Sequence, residues 1–538
     1  MPVPQVAETI PGTLTATLGA GALARSRGAF VAWAGLVALV ATAASLSYGI
    51  SPLYSSNQNQ YFLHGLARAG VGWLRDDWLA KTADPTPVFS TLVAITQRYL
   101  HPALFYVEYV LLVGVYFTAL ISITLSVVDL TNVRGKLVAY LAVLLGMHSA
   151  LLANLSLEMI GLDVRAVLTN GVAGQYILGP YLQPSAFGVL LMASVALFRG
   201  GRARLAAIVA ALAAVVHPTY LLSAALLVCA YMLVTFKETR SPGPALWIGL
   251  AALAPVLPIL GYVYLTFRPS SPESVALAQS ILVHDRLPHH LLIEWWLIFP
   301  AYVQIALVIG GIVAVRRAPR LFPVLLVCAA AVAVLTAVQA LSGSLGLALV
   351  FPWRLSVVLV PICSSVLAAR VVSWIWDRRV AGRGNRERIL VLGSAVTVLL
   401  LAVAGALSTR LASEDNAVDS SVPMMNFVRE TRARGDLYFI PLSLERFRLY
   451  TATPVFVDRK SIPYRDVEVV QWRERFTAGR AVDLLNDPAL SCEAVGRLAA
   501  QWGLTHAVLR RGTSDGRCPV LQRLYEDRDY GVYRVVRR

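Results

Sequence analysis

The sequence predicts a polytopic all-α membrane domain of about eleven helices followed by a small α/β domain, and three observations carry that prediction. The 538-residue chain is 57% hydrophobic and 14% charged, with a mean hydropathy of +0.63, more apolar surface than an aqueous domain keeps from water. Apolar runs of about 20 residues, the length that crosses a bilayer, recur between residues 30 and 409. Beyond residue 410 the pattern changes to short buried stretches and amphipathic segments, as in a soluble fold.

Taken in order, residues 1–29 form a small, polar, cytoplasmic lead-in. The apolar runs then fall at 30–48, 103–127, 137–154, 180–198, 204–217, 219–236, 245–267, 296–315, 321–341, 355–375 and 389–409. The first is too long for a secretory h-region, and no small-residue cleavage pattern follows it before "SPLYSSNQNQ", so it reads as a retained helix. With the N terminus inside, every inner segment is basic: Arg25 and Arg27; Arg134 and Lys136; Arg199, Arg202 and Arg204; Lys237 and Arg240; Arg316, Arg317 and Arg320; and Arg378, Arg379, Arg383, Arg386 and Arg388. That is the positive-inside pattern of a multi-pass protein of the inner or plasma membrane. It also accounts for most of the formal net charge of +16. Nucleic-acid binding would need a soluble basic face instead.

An odd number of spans leaves residues 410–538 extracytoplasmic, and the outer segments 49–102, 155–179, 268–295 and 342–354 are the ones with room for chemistry. Cys229, Cys328 and Cys363 fall in apolar runs as small buried side chains. Cys492 and Cys518 would lie in an oxidising compartment, where they are candidates for a structural disulfide. His217 and Pro218 mark a tight hairpin between two runs, with Pro at a helix start. In the last domain "VPMMNFVRETRARG" reads as a helix stopped by Gly435, "DLYFIPL" and "TPVFVD" as short buried strands, and "DVEVVQWRERF" and "CEAVGRLAAQWG" as helices. "LTHAVLR", "PVLQRLYE" and "YGVYRVV" read as closing strands.

The longest outer segment contains "GWLRDDWLAKTADPTPVFS", with Asp76, Asp77 and Asp84 beside Trp78. A helix through 71–84 would put Asp77, Lys81 and Asp84 on one face, with Asp77 and Lys81 spaced as an ion pair. The plain reading is then a surface pair and an acid opening the turn at Pro85; the functional one is an active-site loop.

The whole arrangement, with the strings "NQNQYFLHGLARAG", "DDWLAKTADPTPVFS", "GQYILGPYLQPSAFG", "RLPHH", "FPWRLS" and "PVFVDRKSIPYRDVEVVQW", resembles the GT-C class of integral membrane glycosyltransferases, closest to an uncharacterised bacterial branch. The resemblance implies transfer of a sugar from a polyprenyl-phosphate donor to a glycan, lipid or protein acceptor of the cell envelope. It implies an Asp of the first outer loop as general base, with Asp77 ahead of Asp76 and Asp84. The chain lacks the acid-x-acid spacing and the Trp-Trp-Asp-Tyr-Gly string of the oligosaccharide-transferring members, so Mg²⁺ or Mn²⁺ on Asp76 and Asp77 stays an open expectation.

A lipid-phosphate donor calls for cations at the outer membrane face. Arg354 in "FPWRLS" and Arg286, His289 and His290 in "VHDRLPHHLLIEWW" are the candidates. The alternative for Arg354 is a snorkelling anchor beside Trp353. Trp78, Gln175, Tyr176, Lys460, Tyr464 and Arg465 are candidate substrate contacts, against readings as interfacial anchors and a solvated turn. Two other functions fit the same architecture: a transporter or flippase of a lipid-linked saccharide, and a non-catalytic envelope-assembly protein.

Overall fold

The computed structural model of the protein describes residues 27–485, 487–512 and 518–536; the 1–29 lead-in, with Arg25, lies almost wholly outside them. Every apolar run falls on helix. In chain order the principal helices, short turns aside, are α1 (Arg27–Tyr48), α2 (Leu63–Ala69), α3 (Pro87–Tyr99), α4 (Leu104–Leu125), α5 (Arg134–Met147), α6 (Ala150–Ile160), α7 (Val189–Arg199) and α8 (Ala203–Val216). They continue with α9 (Leu221–Thr239), α10 (Pro242–Thr266), α11 (Phe299–Ala314), α12 (Leu321–Ser342), α13 (Ser356–Arg379) and α14 (Gly384–Val418).

Among the described residues six helices are long and apolar enough to cross a membrane, or seven if α5 and α6 are one span bent by 55°. The bend lies at His148 and Ser149, where the Ser149 hydroxyl accepts the Leu152 N–H and starts a new helix. The eleven runs are therefore helices of unequal length; the short α8 buries Ala206, Ala207, Ala210 and Ala211 against its neighbours and leaves Leu205 and Leu212 exposed. Glycine sets the closest approach. A Cβ at Gly405 of α14 would lie 1.8 Å from the Leu46 carbonyl oxygen of α1.

Basic connections meet at one end of the bundle, where Lys136 pairs with Asp377 and Arg320 with Glu238, each at 2.8 Å. The long connections and the last domain gather at the other end. That domain begins with α15 (Val422–Thr431) and β1 (Tyr438–Phe439), and continues through α16 (Asp466–Asp483), α17 (Pro488–Trp502), β2 (His506–Arg510), β3 (Leu521–Glu526) and β4 (Tyr530–Val535). The sheet order is β1-β2-β4-β3, with β1 and β2 parallel and the other pairs antiparallel.

Strand residues alternate between two cores, the period-2 rule at work. Tyr438, Val508 and Val532 face Met424, Met425 and Val428 of α15, while Phe439, Ala507 and Tyr533 face Trp472 of α16 and Val495 of α17. The "TPVFVD" stretch departs from its expected strand: it makes a single bridge from Val455 to Tyr438, because Asp458 and the residues after it turn away toward the membrane domain. Cys492 and Cys518 are joined by a disulfide that ties α17 to the approach of β3.

The last domain is seated on the 49–102 loop by paired polar contacts. The Gln60 side chain imitates a strand partner, donating to the Ile462 carbonyl at 2.9 Å and accepting the Ile462 N–H at 2.6 Å. Trp73 N–H donates to the Ala452 carbonyl at 2.9 Å. Its neighbour Gly72 has φ +50° and space for no Cβ, with that same carbonyl oxygen 2.4 Å away.

Candidate functional site

The acids of the first loop do not form one face. Residues 74–81 fold as two short 3₁₀ turns, Leu74–Asp76 and Leu79–Lys81, separated by Asp77 in an extended conformation with ψ 133°. A helix is prevented locally, since Asp77 Oδ1 accepts the Leu79 N–H at 2.8 Å and starts the second turn. The expected Asp77–Lys81 pair is thereby lost.

Asp77 is fully buried, and its second oxygen accepts from Arg448 Nε and from the Val455 N–H, both at 2.9 Å. Arg448, itself buried, donates its other arm to Asp458. Asp458 also accepts the Ser461 N–H at 2.7 Å. With three donors on its two oxygens and no exposed surface, Asp77 ties the first loop to the last domain rather than standing open to an acceptor. Asp76 is exposed, so it and Asp77 do not share one metal site. Among the described residues no group of three or more metal-ligating side chains comes together. Asp84 is buried against Arg68 at 2.7 Å and accepts from Thr86 N and Ser90 Oγ.

The remaining candidates converge elsewhere. Arg354, at the start of α13, reaches His217 Nε2 at 3.2 Å and lies over the Tyr220 ring at 4.7 Å. Tyr61 packs edge-on to His217 at 6.0 Å and lies close enough to Tyr464 for the two phenols to interact electrostatically. From the 268–295 connection a π-helical turn, Ile281–Arg286, delivers Arg286 to the Lys460 carbonyl at 2.6 Å. Lys460 Nζ donates to Ser56 at 3.3 Å. His290 donates through Nδ1 to the Ala173 carbonyl at 2.6 Å, and His289 stacks beside it at 4.0 Å. Tyr176 joins Tyr181 at 3.4 Å and Asn57 at 3.3 Å. The predicted group Arg354, Arg286, His289, His290, Gln175, Tyr176, Lys460 and Tyr464 is thus drawn together, at the end of the bundle where the last domain sits.

Three features set this cluster apart from ordinary packing. Buried polar atoms of Gln175, Gln183, His217, Arg286 and Arg354 have no protein partner. Non-glycine residues hold left-handed backbone around it, at Tyr54, Ser56, Ala173 and Phe351, with φ between 45° and 65°; such strain persists only where the surroundings impose it. Its charge is also one-sided. Asp458 is spent on Arg448, and the acid that remains is Glu445, carried on the 441–446 turn, which is held to the Lys460 segment by the Arg459 N–H on the Leu442 carbonyl at 3.1 Å.

Among the described residues the Glu445 carboxylate has no hydrogen-bond or ion-pair partner. Burial pushes its pKa up, helped by the Asp458 charge and opposed by Lys460, Arg286 and Arg459. Lys460 is pushed down by burial and by Arg286, and upward by Glu445. Burial likewise holds His289 and His290 down, the latter to about 4, so both are neutral near pH 7.

Two predicted contacts fall outside the cluster. Trp78 lies under the Arg475 guanidinium at 4.5 Å, which also stacks on Trp502 at 4.6 Å, so it cements the domain interface. Arg465 is exposed at the start of α16, its charge answered by Asp466 and Glu468 of the same helix. The sequence singles out neither Tyr61, Asn57, Glu445 nor Arg448 and gives His217 only as a hairpin residue; of the first four, Tyr61 and Asn57 had a signal, their place in the polar string "NQNQYFLHG".

Residues 419–478 match a domain of unknown function, DUF6798, a segment that contains Glu445, Arg448, Asp458 and Lys460. No curated protein matches the chain. The fold is similar to the crystal structure of ArnT from Cupriavidus metallidurans bound to undecaprenyl phosphate, at 15% identity over 95% of this chain and 99% of that one, with a TM-score of 0.48. A likeness that distant carries nothing about substrate, and the chemistry rests on the residues above.

Proposed function

We propose that the protein is a membrane glycosyltransferase that moves a sugar from a polyprenyl-phosphate carrier to an acceptor of the cell envelope, at the outer, loop-bearing face. One observation supports this above the others: Arg354, Arg286 and Lys460 converge with unpartnered buried polar atoms at the end of an apolar bundle. A long apolar tail has lipid-facing helices to lie along, and its phosphate meets guanidinium and ammonium donors in a partly dehydrated place, where charge-assisted hydrogen bonds are strong.

In the transfer, an acceptor hydroxyl attacks the anomeric carbon, the bond from that carbon to the phosphate oxygen breaks, and the carrier leaves as a phosphomonoester. Arg354, Arg286 and Lys460 hold the negative charge that grows on the leaving phosphate. Glu445 takes the hydroxyl proton: it is the acid of the cluster with no protein partner, and its raised pKa brings it nearer the working range of a general base. Neutral His289 and His290, with Tyr176 and Gln175, supply hydrogen bonds suited to sugar hydroxyls. Asp77 fixes Arg448 and, through it, the Asp458–Lys460 segment. No step is routed through a metal, for which Asp76 and Asp77 form no shared site. A flippase would place charge near the bilayer midplane, whereas these charges gather at one end.

The test is binding of undecaprenyl phosphate to the purified full-length protein by native mass spectrometry, followed by release of that lipid from a panel of polyprenyl-phosphate sugars. Arg354→Gln should weaken lipid binding at least about 10-fold, and Glu445→Gln should bind normally yet release nothing. Equal binding by wild type and Arg354→Gln would sink the carrier assignment. Normal release by Glu445→Gln would remove Glu445 alone.

A further inference from the structure

A cavity of about 380 Å³ opens at the same end of the molecule and shares no lining residue with the Arg354 cluster. Its walls include His64, Arg68, Arg75, Lys81, Asp84 and Tyr262. That volume is within the range of small-molecule sites. Its acid is already spent: Asp84 gives one oxygen to Arg68 and the other to Thr86 N and Ser90 Oγ. Arg75 and Lys81 have no carboxylate partner among the described residues, and both are exposed at the rim. The remaining nearby acids are not in the lining: Asp76 is an exposed neighbour, and Glu468 accepts the Ala83 N–H at 3.1 Å. His64 adds hydrogen-bonding capacity without fixed charge, since burial holds its pKa below the ordinary value. The cavity therefore presents an excess of positive charge.

Its position says what kind of anion would reach it. Tyr262 belongs to α10, one of the membrane-length helices, and donates its hydroxyl to the Asp84 carbonyl at 2.7 Å, so the cavity lies level with the end of a span. Toward the bilayer interior from that point α10 exposes the apolar side chains of Leu253, Leu257 and Leu260. From its other edge α3 runs away with Val88, Ile95 and Tyr99 exposed along one helical face, the stripe of a helix lying in a membrane interface. Two apolar walls thus flank a cationic pocket at the depth of lipid headgroups.

We infer that this cavity binds the phosphodiester headgroup of an anionic phospholipid in the adjacent leaflet, with acyl chains along α10 and α3. The shared chemistry is a phosphate oxyanion, and the apolar walls select a lipid over the free ion. The inference stands apart from the transfer reaction proposed above, whose residues are different.

The experiment uses the full-length protein in nanodiscs holding equal phosphatidylglycerol and phosphatidylcholine, with the lipids retained after release counted by native mass spectrometry. Wild type should retain phosphatidylglycerol in roughly 10-fold preference, and the rim variant Arg75→Gln/Lys81→Gln should lose that preference. Arg354→Gln should keep it, which separates this site from the carrier site. Inorganic phosphate at millimolar concentration should not displace the lipid; displacement would assign the cavity to free phosphate and overturn the lipid assignment. Equal retention of both lipids by wild type, or an unchanged preference in the rim variant, would overturn the site itself.

Discussion

Arg448 Nε donates to Asp77 Oδ2 at 2.9 Å with both side chains sealed from solvent, joining the last domain to the first long loop across 371 residues of sequence. Asp458 on the other arm of Arg448 completes a buried group of one cation and two anions. Removing the cation would leave two carboxylates uncompensated, a cost of about 3–5 kcal/mol. Arg448→Met should therefore unfold at clearly lower temperature in detergent and expose the 70–84 loop to protease. Asp77→Asn keeps acceptors for the Leu79 and Val455 N–H groups and should be milder. Any loss of transfer in Asp77→Asn should track loss of stability; a stable but inactive Asp77→Asn would restore Asp77 as the base.

Glu445 makes pH a second probe. Its pKa is raised, chiefly by burial, so as pH falls the base is protonated, and kcat/KM should decline at a pH above the usual glutamate value of about 4.3. Stability should respond in the opposite sense. A group whose acid form is favoured by folding stabilises fully below its unfolded pKa, and that contribution is lost as pH rises through the folded value. Glu445→Gln, which removes the titrating group, should flatten that part of the stability profile.

Lys460 sets the alkaline side. Burial and the Arg286 charge hold its pKa below the ordinary lysine value of about 10.4. Its positive charge is therefore lost earlier as pH rises, and affinity for undecaprenyl phosphate should fall there. Titrating binding by native mass spectrometry against pH should show this limb in wild type and move it beyond the accessible range in Lys460→Arg.

The contact of α1 with α14 yields a purely steric prediction. With the Leu46 carbonyl oxygen 1.8 Å from where a Cβ would sit, Gly405→Ala forces the two helices apart, and overpacking of this kind costs about 1–3 kcal/mol. Gly146, whose added Cβ would meet only Leu401 Cδ1 at 3.8 Å, is the control: Gly146→Ala should leave the melting temperature close to that of wild type.

How much of this was legible beforehand depends on how local the cause is. The helices follow from apolar length, and the sheet strands 506–510, 521–526 and 530–535 from their alternation, so both could be read directly. Arg354, Arg286 and Lys460 stood out because a charge beside an apolar run or a buried strand needs a reason. The buried pairing of Asp77 was not legible, since its partner Arg448 sits in "RFRLYT", a string that looks like a solvated helix. Glu445 was missed for the same reason: its environment is set by Lys460 and Arg286, which chain spacing does not connect. The helix expected through 71–84 failed on one side chain, because Asp77 captures the Leu79 N–H and breaks the run.

The Asp77–Arg448 contact also orders events during biogenesis. A chain made from its N terminus has its first loop synthesised long before the ribosome reaches its partner. At about 5–20 residues per second, the 371 intervening residues take on the order of 20 to 70 s. Throughout that interval the carboxylate must stay hydrated and the loop unfinished. Closure of the first loop is therefore a property of the completed polypeptide, and a nascent chain stalled before residue 448 would sit in the bilayer with its helices formed and Asp77 without its arginine.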